Sequence, residues 1–366
     1  MGQIKGLQAL RGIAASAVVF SHAYTRAQIT WPEPMRHSVI RGFHDLVWLG
    51  EFGVDLFFVL SGFLMVYLHG EQFGATGASR PFLLRRLARI VPLYWALSAA
   101  GLVLLLRFPS LFTFHTSTEW PWIVGSFLFV PWPTSSGFIA PIIGAGWTLD
   151  YEMYFYLLFA TALLTRRGLT YLCIFLLTSV AVGFVVRPNH PWLQLITNPL
   201  LLEFTMGMLT AVLVRRYKPR SALGWVIVPV LWLASTALHY PGNWRALAWG
   251  LPSAILVAGV VWMERRYERR SGRALVLLGD ASYSIYLFQV FALPGFSRVF
   301  AALRFERYVN IDLLLAAIAV ASIGAGLLVW GFLEKPLTQA IKIRMRGAAT
   351  IKAPSGQPRQ RARLSS

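Results

Sequence analysis

The chain has 366 residues, of which 56% are hydrophobic and only 13% charged, and its mean hydropathy is +0.57. No soluble class combines these values, whereas the length suffices for about ten membrane helices of roughly 20 residues with their connecting loops. A net charge of +19 would point a soluble protein toward nucleic acid, so where that charge sits decides its meaning. One cysteine, Cys173, and seven scattered histidines without a His-x-x-x-His pair argue against a disulfide framework or a structural metal centre.

Long apolar runs predict ten spans, at about 7–25, 52–70, 90–107, 147–165, 169–187, 199–214, 223–240, 246–263, 275–297 and 313–334. The fold class expected is therefore all-α, a polytopic membrane helix bundle. The first run carries Arg11 and His22 and no small-residue cleavage pattern follows it, so it reads as a working helix and not as a cleaved signal. Between the third and fourth spans, Trp120 to Trp132 is too short to cross and is rich in Trp and Pro, which suits an interfacial or re-entrant segment. The expected division is a membrane domain over 1–340 and a basic, disordered tail over 341–366 that lies against anionic lipid.

Charge in the loops orients these spans, because Lys and Arg accumulate on the cytoplasmic side. With both termini inside, 24 of the 34 basic residues fall on that side and nine on the other, and Arg11 lies within a span. The excess of positive charge is then mostly topology, and nucleic acid is not needed as a partner.

A charge inside the bilayer costs at least ~2.5 kcal/mol, so each intramembrane ionisable group is a functional candidate. Arg11 and His22 are 11 residues apart, which puts them on one helix face about 16 Å from each other. Asp55, Glu152 and Glu203 each lie near the outer end of a span, at a depth comparable to His22. Asp150 is two residues from Glu152 and points to the opposite side of the helix, so the two do not form a carboxylate pair. Any one of these acids could serve helix assembly alone. Arg85, Arg86 and Arg89 cluster at the inner mouth of the third span, with Arg86 and Arg89 at i and i+3 able to grip a polyphosphate. A positive-inside anchor is the commoner role for such a cluster. Asp280, at the start of the ninth span, could neutralise one of them.

Missing motifs narrow the field. No Walker A loop is present, Ser61 lacks the Gly-x-Ser-x-Gly frame of a serine hydrolase, and no His-x4-Asp arrangement occurs. Cys173 sits in an apolar run and reads as an unreactive thiol.

Several segments together resemble the membrane-bound acyltransferase-3 family, bacterial enzymes that O-acylate glycans. They are Leu10-Arg11-Gly12 leading to Ser21-His22, Gly53-Val54-Asp55 through Ser61-Gly62-Phe63, and Phe82 through Ile90 with Pro92-Leu93-Tyr94-Trp95. Trp147-Thr148-Leu149 with Glu152, Glu203-Phe204 with Gly207, and Leu278-Gly279-Asp280 with Ser282-Tyr283-Ser284 complete the series in family order. The sequence looks most like the exopolysaccharide acetyltransferase branch.

The resemblance implies transfer from a cytoplasmic donor, acetyl-CoA or another acyl-CoA, to a sugar hydroxyl of a lipid-linked saccharide or surface glycan, in the bacterial inner membrane. It implies no permanently bound cofactor and no metal. His22 would be the base or acyl carrier, with Glu152 as its catalytic partner, and Arg11, Arg85, Arg86 and Arg89 would bind the donor. Asp55, Trp147, Asp150, Glu203, Asp280 and Tyr283 would form or support the acceptor site, with membrane lipid and polysaccharide-assembly proteins as further partners. Gln289 departs from the pattern, since many members have a histidine there. The alternative reading is a transporter or flippase for a lipid-linked saccharide; no inverted repeat with broken helices supports it.

Overall fold

A computed structural model describes residues 4–40, 48–109, 116–134, 136–236, 242–267 and 272–351. Fourteen α-helices run in chain order: α1 Lys5–Thr30, α2 Trp48–His69, α3 Ser79–Arg107, α4 Trp120–Leu128, α5 Trp147–Ala162, α6 Gly168–Val186 and α7 Pro191–Ile196. They continue with α8 Leu201–Arg216, α9 Gly224–Thr236, α10 Leu251–Tyr267, α11 Arg273–Asp280, α12 Ser282–Ala302, α13 Ile311–Val329 and α14 Lys335–Ile351. Single π turns lead into α10 at Ala246–Gly250 and follow α13 at Trp330–Glu334. No strand occurs among the described residues; one isolated bridge pairs Pro133 with Ile139. With no water to satisfy backbone groups in hydrocarbon, an apolar chain of this length closes its hydrogen bonds within helices.

Among the described residues, seven segments are long and apolar enough to cross a membrane, including Gly50–Gln72, Ser79–Arg107 and Ser282–Ala302. The expected first, fourth and seventh spans are helices α1, α5 and α9 but are not among those seven; residues 237–240 of the seventh lie outside the described residues. α6 is apolar on all sides and largely exposed, with Val185 84% accessible, which is the pattern of a helix whose outer surface meets lipid. As the Trp and Pro content foretold, α4 is nine residues long, about half of what a crossing needs.

Two expectations need correcting. The ninth expected span, 275–297, is divided at Ala281 into a short α11 and a longer α12 that extends to Ala302. The segment 341–351, expected to be disordered, continues as helix α14, which is amphipathic and needs no apolar run to form; 352–366 lie outside the described residues.

α2 and α8 make the most intimate contact of the bundle, and glycine permits it. A Cβ added at Gly207 would lie 2.0 Å from the Val59 carbonyl oxygen, and one at Gly62 would lie 2.1 Å from that of Phe204. Small residues that let backbones touch are how helices associate where no hydrophobic force separates helix from lipid. The Val59 and Gly62 face of α2 is thus committed to α8, and this decides where Asp55 goes.

Candidate active site

The face of α2 carrying Val54, Phe57, Phe58, Ser61, Leu64 and Met65 borders a cavity of about 750 Å³, open mouth included. The spacing is i, i+3, i+4, i+7, one helical stripe. α1 contributes Arg11, α3 Arg86, Arg89 and Ile90, α5 Thr148, Leu149, Glu152 and Tyr156, and α12 Tyr283 and Tyr286. Three guanidinium groups face one lining carboxylate, so the cavity is cationic. Among the described residues, none of the three arginines forms a salt bridge, and Arg86 Nε is buried without a hydrogen-bond partner.

Two of the three arginines are held by their surroundings. The Arg86 guanidinium lies 5.6 Å from the Phe82 ring centroid and 5.8 Å from that of Tyr156, within cation–π reach of both rings. The Tyr156 hydroxyl donates to Glu152 Oε2 at 3.1 Å and lies 3.1 Å from Ser61 Oγ, so Glu152 braces Arg86 through Tyr156. Arg11 is set in place by close approach of α1 and α11: a Cβ at Gly279 would lie 1.9 Å from the Gln8 carbonyl oxygen, and one at Gly12 would lie 2.8 Å from that of Leu275. On the α12 wall, the Tyr283 hydroxyl donates to the Ile90 carbonyl at 2.7 Å. Behind that wall, Ser284 Oγ donates to the buried Glu334 at 2.5 Å.

Tyr286 also lines the cavity; its ring meets Phe57 edge-on at 6.0 Å and its hydroxyl donates to the Ala145 carbonyl. The backbone carbonyl of Tyr286 accepts a hydrogen bond from Gln289 Nε2 at 2.9 Å, and Gln289 Oε1 lies 3.2 Å from His22 Nδ1. This fixes a tautomer. The Gln289 amide nitrogen is already committed to Tyr286, so the oxygen must face the imidazole and accept from it. His22 therefore carries its proton on Nδ1 and leaves the lone pair on Nε2. Gln289 is buried and His22 is exposed.

The remaining expected site residues separate from this cavity. Asp55, on the α8 side of α2, is fully buried and held by Arg245, whose Nε lies 3.0 and 3.1 Å from its two oxygens and whose Nη2 lies 2.9 Å from Oδ2. Arg245 also reaches Glu51 at 3.6 Å and packs 5.1 Å from the Trp249 ring. Glu203 is buried alongside, against Gly250. The ionisable groups expected at one depth thus face different neighbours: Glu152 accepts from Tyr156, whereas the hydrogen bond of His22 is to Gln289. Trp147 packs against Phe58 and Tyr151. Asp150 faces a separate small cavity with Trp122 and Trp132, its Oδ1 buried and unpartnered. Arg85 is exposed, and Asp280 closes α11; neither lines the arginine cavity. Sequence reasoning passed over Tyr156, Tyr286, Thr148 and Arg245. Tyr156, at i+4 from Glu152, was readable on the same face.

Removing one partner from a buried pair leaves the other charge uncompensated, at a cost of about 3–5 kcal/mol. Asp55→Ala is therefore expected to lower the unfolding temperature of the detergent-purified protein sharply; a temperature equal to wild type would show that Arg245 does not depend on it.

A family model described as an acyltransferase domain, acyltransferase 3, matches residues 4–330. The chain belongs to this family and is a multi-pass membrane acyltransferase. The exopolysaccharide production protein ExoZ of Rhizobium meliloti (strain 1021) is 35% identical over 259 residues, covering 67% of this chain and 77% of that protein. No solved structure matches the chain.

Proposed function

We propose that this acyltransferase moves an acetyl group from acetyl-CoA, bound as co-substrate at the arginine end of the cavity, to a sugar hydroxyl presented at the His22 end. The acceptor is an exopolysaccharide or its lipid-linked precursor, in keeping with the name of the relative ExoZ. The loop-charge bias puts the arginine end at the cytoplasm and His22 toward the outer side of a bacterial inner membrane. The observation that carries the reading is the hydrogen-bonded link between the cavity wall and the histidine. Arg11, Arg86 and Arg89 line a cavity together with Tyr286, and the Tyr286 carbonyl holds the glutamine that hydrogen-bonds His22.

In this scheme the CoA phosphates pair with Arg86 and Arg89, and the pantetheine arm extends past Arg11 along the ~16 Å of α1 that separates it from His22. His22 Nε2 takes the proton of the sugar hydroxyl, the hydroxyl oxygen attacks the thioester carbonyl, the carbon–sulfur bond breaks, and the imidazolium returns its proton to the CoA thiolate. An imidazole suits this exchange because its ordinary pKa, about 6.5, lies near neutrality. The same nitrogen could instead accept the acetyl group first, as an acyl-imidazole. Glu152 acts at a distance from the transfer, by holding Tyr156 beneath Arg86. Polysaccharide-assembly proteins would deliver the acceptor.

NMR of the purified surface polysaccharide from a deletion strain tests the activity. Loss of the acetyl signals with the polymer still exported is the expected result. Unchanged acetylation with polymer export lost would indicate a transporter.

A further inference from the structure

The small cavity at Asp150 takes no part in this scheme, and the chain that walls it is folded into a fixed shape. Beyond α4 the backbone turns back at Phe129, and the Val130 N–H donates to the Gly125 carbonyl at 2.9 Å. A Cβ at Gly125 would lie 2.8 Å from the Val130 carbonyl oxygen and 3.3 Å from the Trp132 Cβ, so glycine lets residues 130–132 lie against α4. The bridge between Pro133 and Ile139 then returns the chain toward Pro141. Trp122 and Ser126 of α4, Trp132 and Pro141 of the connecting segment, and Asp150 in the first turn of α5 line a pocket of about 180 Å³, its mouth included.

Two polar side chains of this lining are already committed. The Trp122 indole N–H donates to the Ala140 carbonyl at 2.8 Å, and Ser126 Oγ donates to the Trp122 carbonyl at 2.8 Å while accepting from the Ile142 N–H at 3.0 Å. Asp150 is only 5% exposed, and its Oδ1 is enclosed with no hydrogen-bond partner among the described residues. Such an oxygen is unfavourable unless a donor reaches it. Trp132, by contrast, is 41% exposed. A place in an interfacial aromatic belt would account for the exposed indole but not for the unfilled carboxylate oxygen beside it.

We propose that this pocket is a subsite for a neutral sugar of the acceptor, with one sugar hydroxyl donating to Asp150 Oδ1 and the C–H face of the ring lying on Trp132. The inference deepens the acceptor side of the proposed function and rests on it. The pocket is smaller than the roughly 300–1,000 Å³ of sites that enclose a whole ligand, so it admits one group of a ligand whose body stays outside. Hydroxyls on the rim of a pyranose suit a carboxylate, and its C–H faces suit an aromatic ring. Among the described residues no Lys, Arg or His lines the pocket, so an acidic sugar would meet Asp150 with nothing to offset the repulsion. The loop-charge bias puts the first turn of α5 on the same side as His22. Thr148, in that turn, has its Oγ1 3.2 Å from the Tyr286 hydroxyl, and Tyr286 accepts from the Gln289 that hydrogen-bonds His22. The pocket and the histidine are thus tied to one wall.

Saturation-transfer NMR on the full-length protein in a sugar-free detergent tests this with cellobiose, glucuronate and tetramethylammonium as probes. Cellobiose is expected to bind, and glucuronate to bind at least tenfold more weakly. Asp150→Leu and Trp132→Ala should each raise the dissociation constant for cellobiose about tenfold or more, and Trp132→Phe should keep most of the affinity. Because Trp132 is at the exposed edge, its variants carry the test if Asp150→Leu fails to fold. No cellobiose binding, or binding unchanged by the Trp132→Ala and Asp150→Leu substitutions, would overturn the subsite. Binding of tetramethylammonium in place of cellobiose, lost in Asp150→Leu, would make the pocket a cation site and overturn it as well. A transfer assay keeps the two readings apart. Absence of acetylated cellobiose from reactions with acetyl-CoA would count against the proposed activity while leaving the binding result to stand. With activity present, Trp132→Ala should raise KM for cellobiose and leave KM for acetyl-CoA unchanged; a fall in kcat with KM for cellobiose unchanged would remove Trp132 from the acceptor site.

Discussion

His22→Ala is expected to lower acetyl transfer by about 10²–10⁴-fold, the usual contribution of a single positioned base. The loss should appear in kcat with KM for acetyl-CoA unchanged, because His22 is not among the residues that line the arginine cavity. Folding should be little affected, since the side chain is exposed and makes one side-chain hydrogen bond. Gln289 offers a sharper check on the geometry. Gln289→Leu removes the acceptor that holds the Nδ1 proton, so the ring can turn or change tautomer, and a misplaced reacting group costs roughly 10²-fold. Gln289→His restores a ring nitrogen that can accept from His22 and is expected to keep most of the activity. A Gln289→Leu protein as active as wild type would show that His22 needs no orienting partner.

The second large effect belongs to the donor. Arg86→Gln and Arg89→Gln each remove a charged donor from a cavity that has few lining groups to replace it. Hydrogen bonds to charged groups are worth about 1.5–3 kcal/mol, which corresponds to roughly 10–100-fold in kcat/KM for acetyl-CoA. Arg86→Lys should rescue little, because an ammonium is a point charge that cannot present a bidentate fork to a phosphate. Arg85→Gln is the control: it is exposed and outside the cavity, and its activity should match wild type. A defect in Arg85→Gln as large as that in Arg86→Gln would mean that the cluster acts as a surface field and not as a site.

Residue spacing along the chain read the helices well and their facing poorly. Apolar runs located the helices because hydrocarbon forces the backbone to bond within itself, and Arg11 and His22 fell on one stripe because both lie on a single continuous helix. Which helix each side chain would face depended on packing that no span shows alone. Asp55 looked like a companion of His22, yet Val59 and Gly62 on its own stripe seat that face against Gly207, where Arg245 meets the carboxylate. The glycines were visible in the sequence; their pairing was not. Arg245 was counted as one more loop charge, although a basic residue on the sparsely charged side, just ahead of a buried π turn, was a signal of a buried acid nearby. Gln289 stood out only as a departure, and the structure turns it into the group that orients the imidazole. Glu152 was matched to His22 by depth, whereas its i+4 neighbour Tyr156 ties it to the arginines.

In the proposed scheme donor and acceptor reach His22 from opposite sides of the membrane. This is tested most directly by reconstituting the purified protein in liposomes, with radiolabelled acetyl-CoA enclosed or added outside and a membrane-impermeant sugar acceptor on one side only. Labelled acceptor is expected when acetyl-CoA is on the side of Arg86 and Arg89 and the acceptor is on the opposite side, with none formed by His22→Ala. Transfer only when both substrates share one side would contradict it.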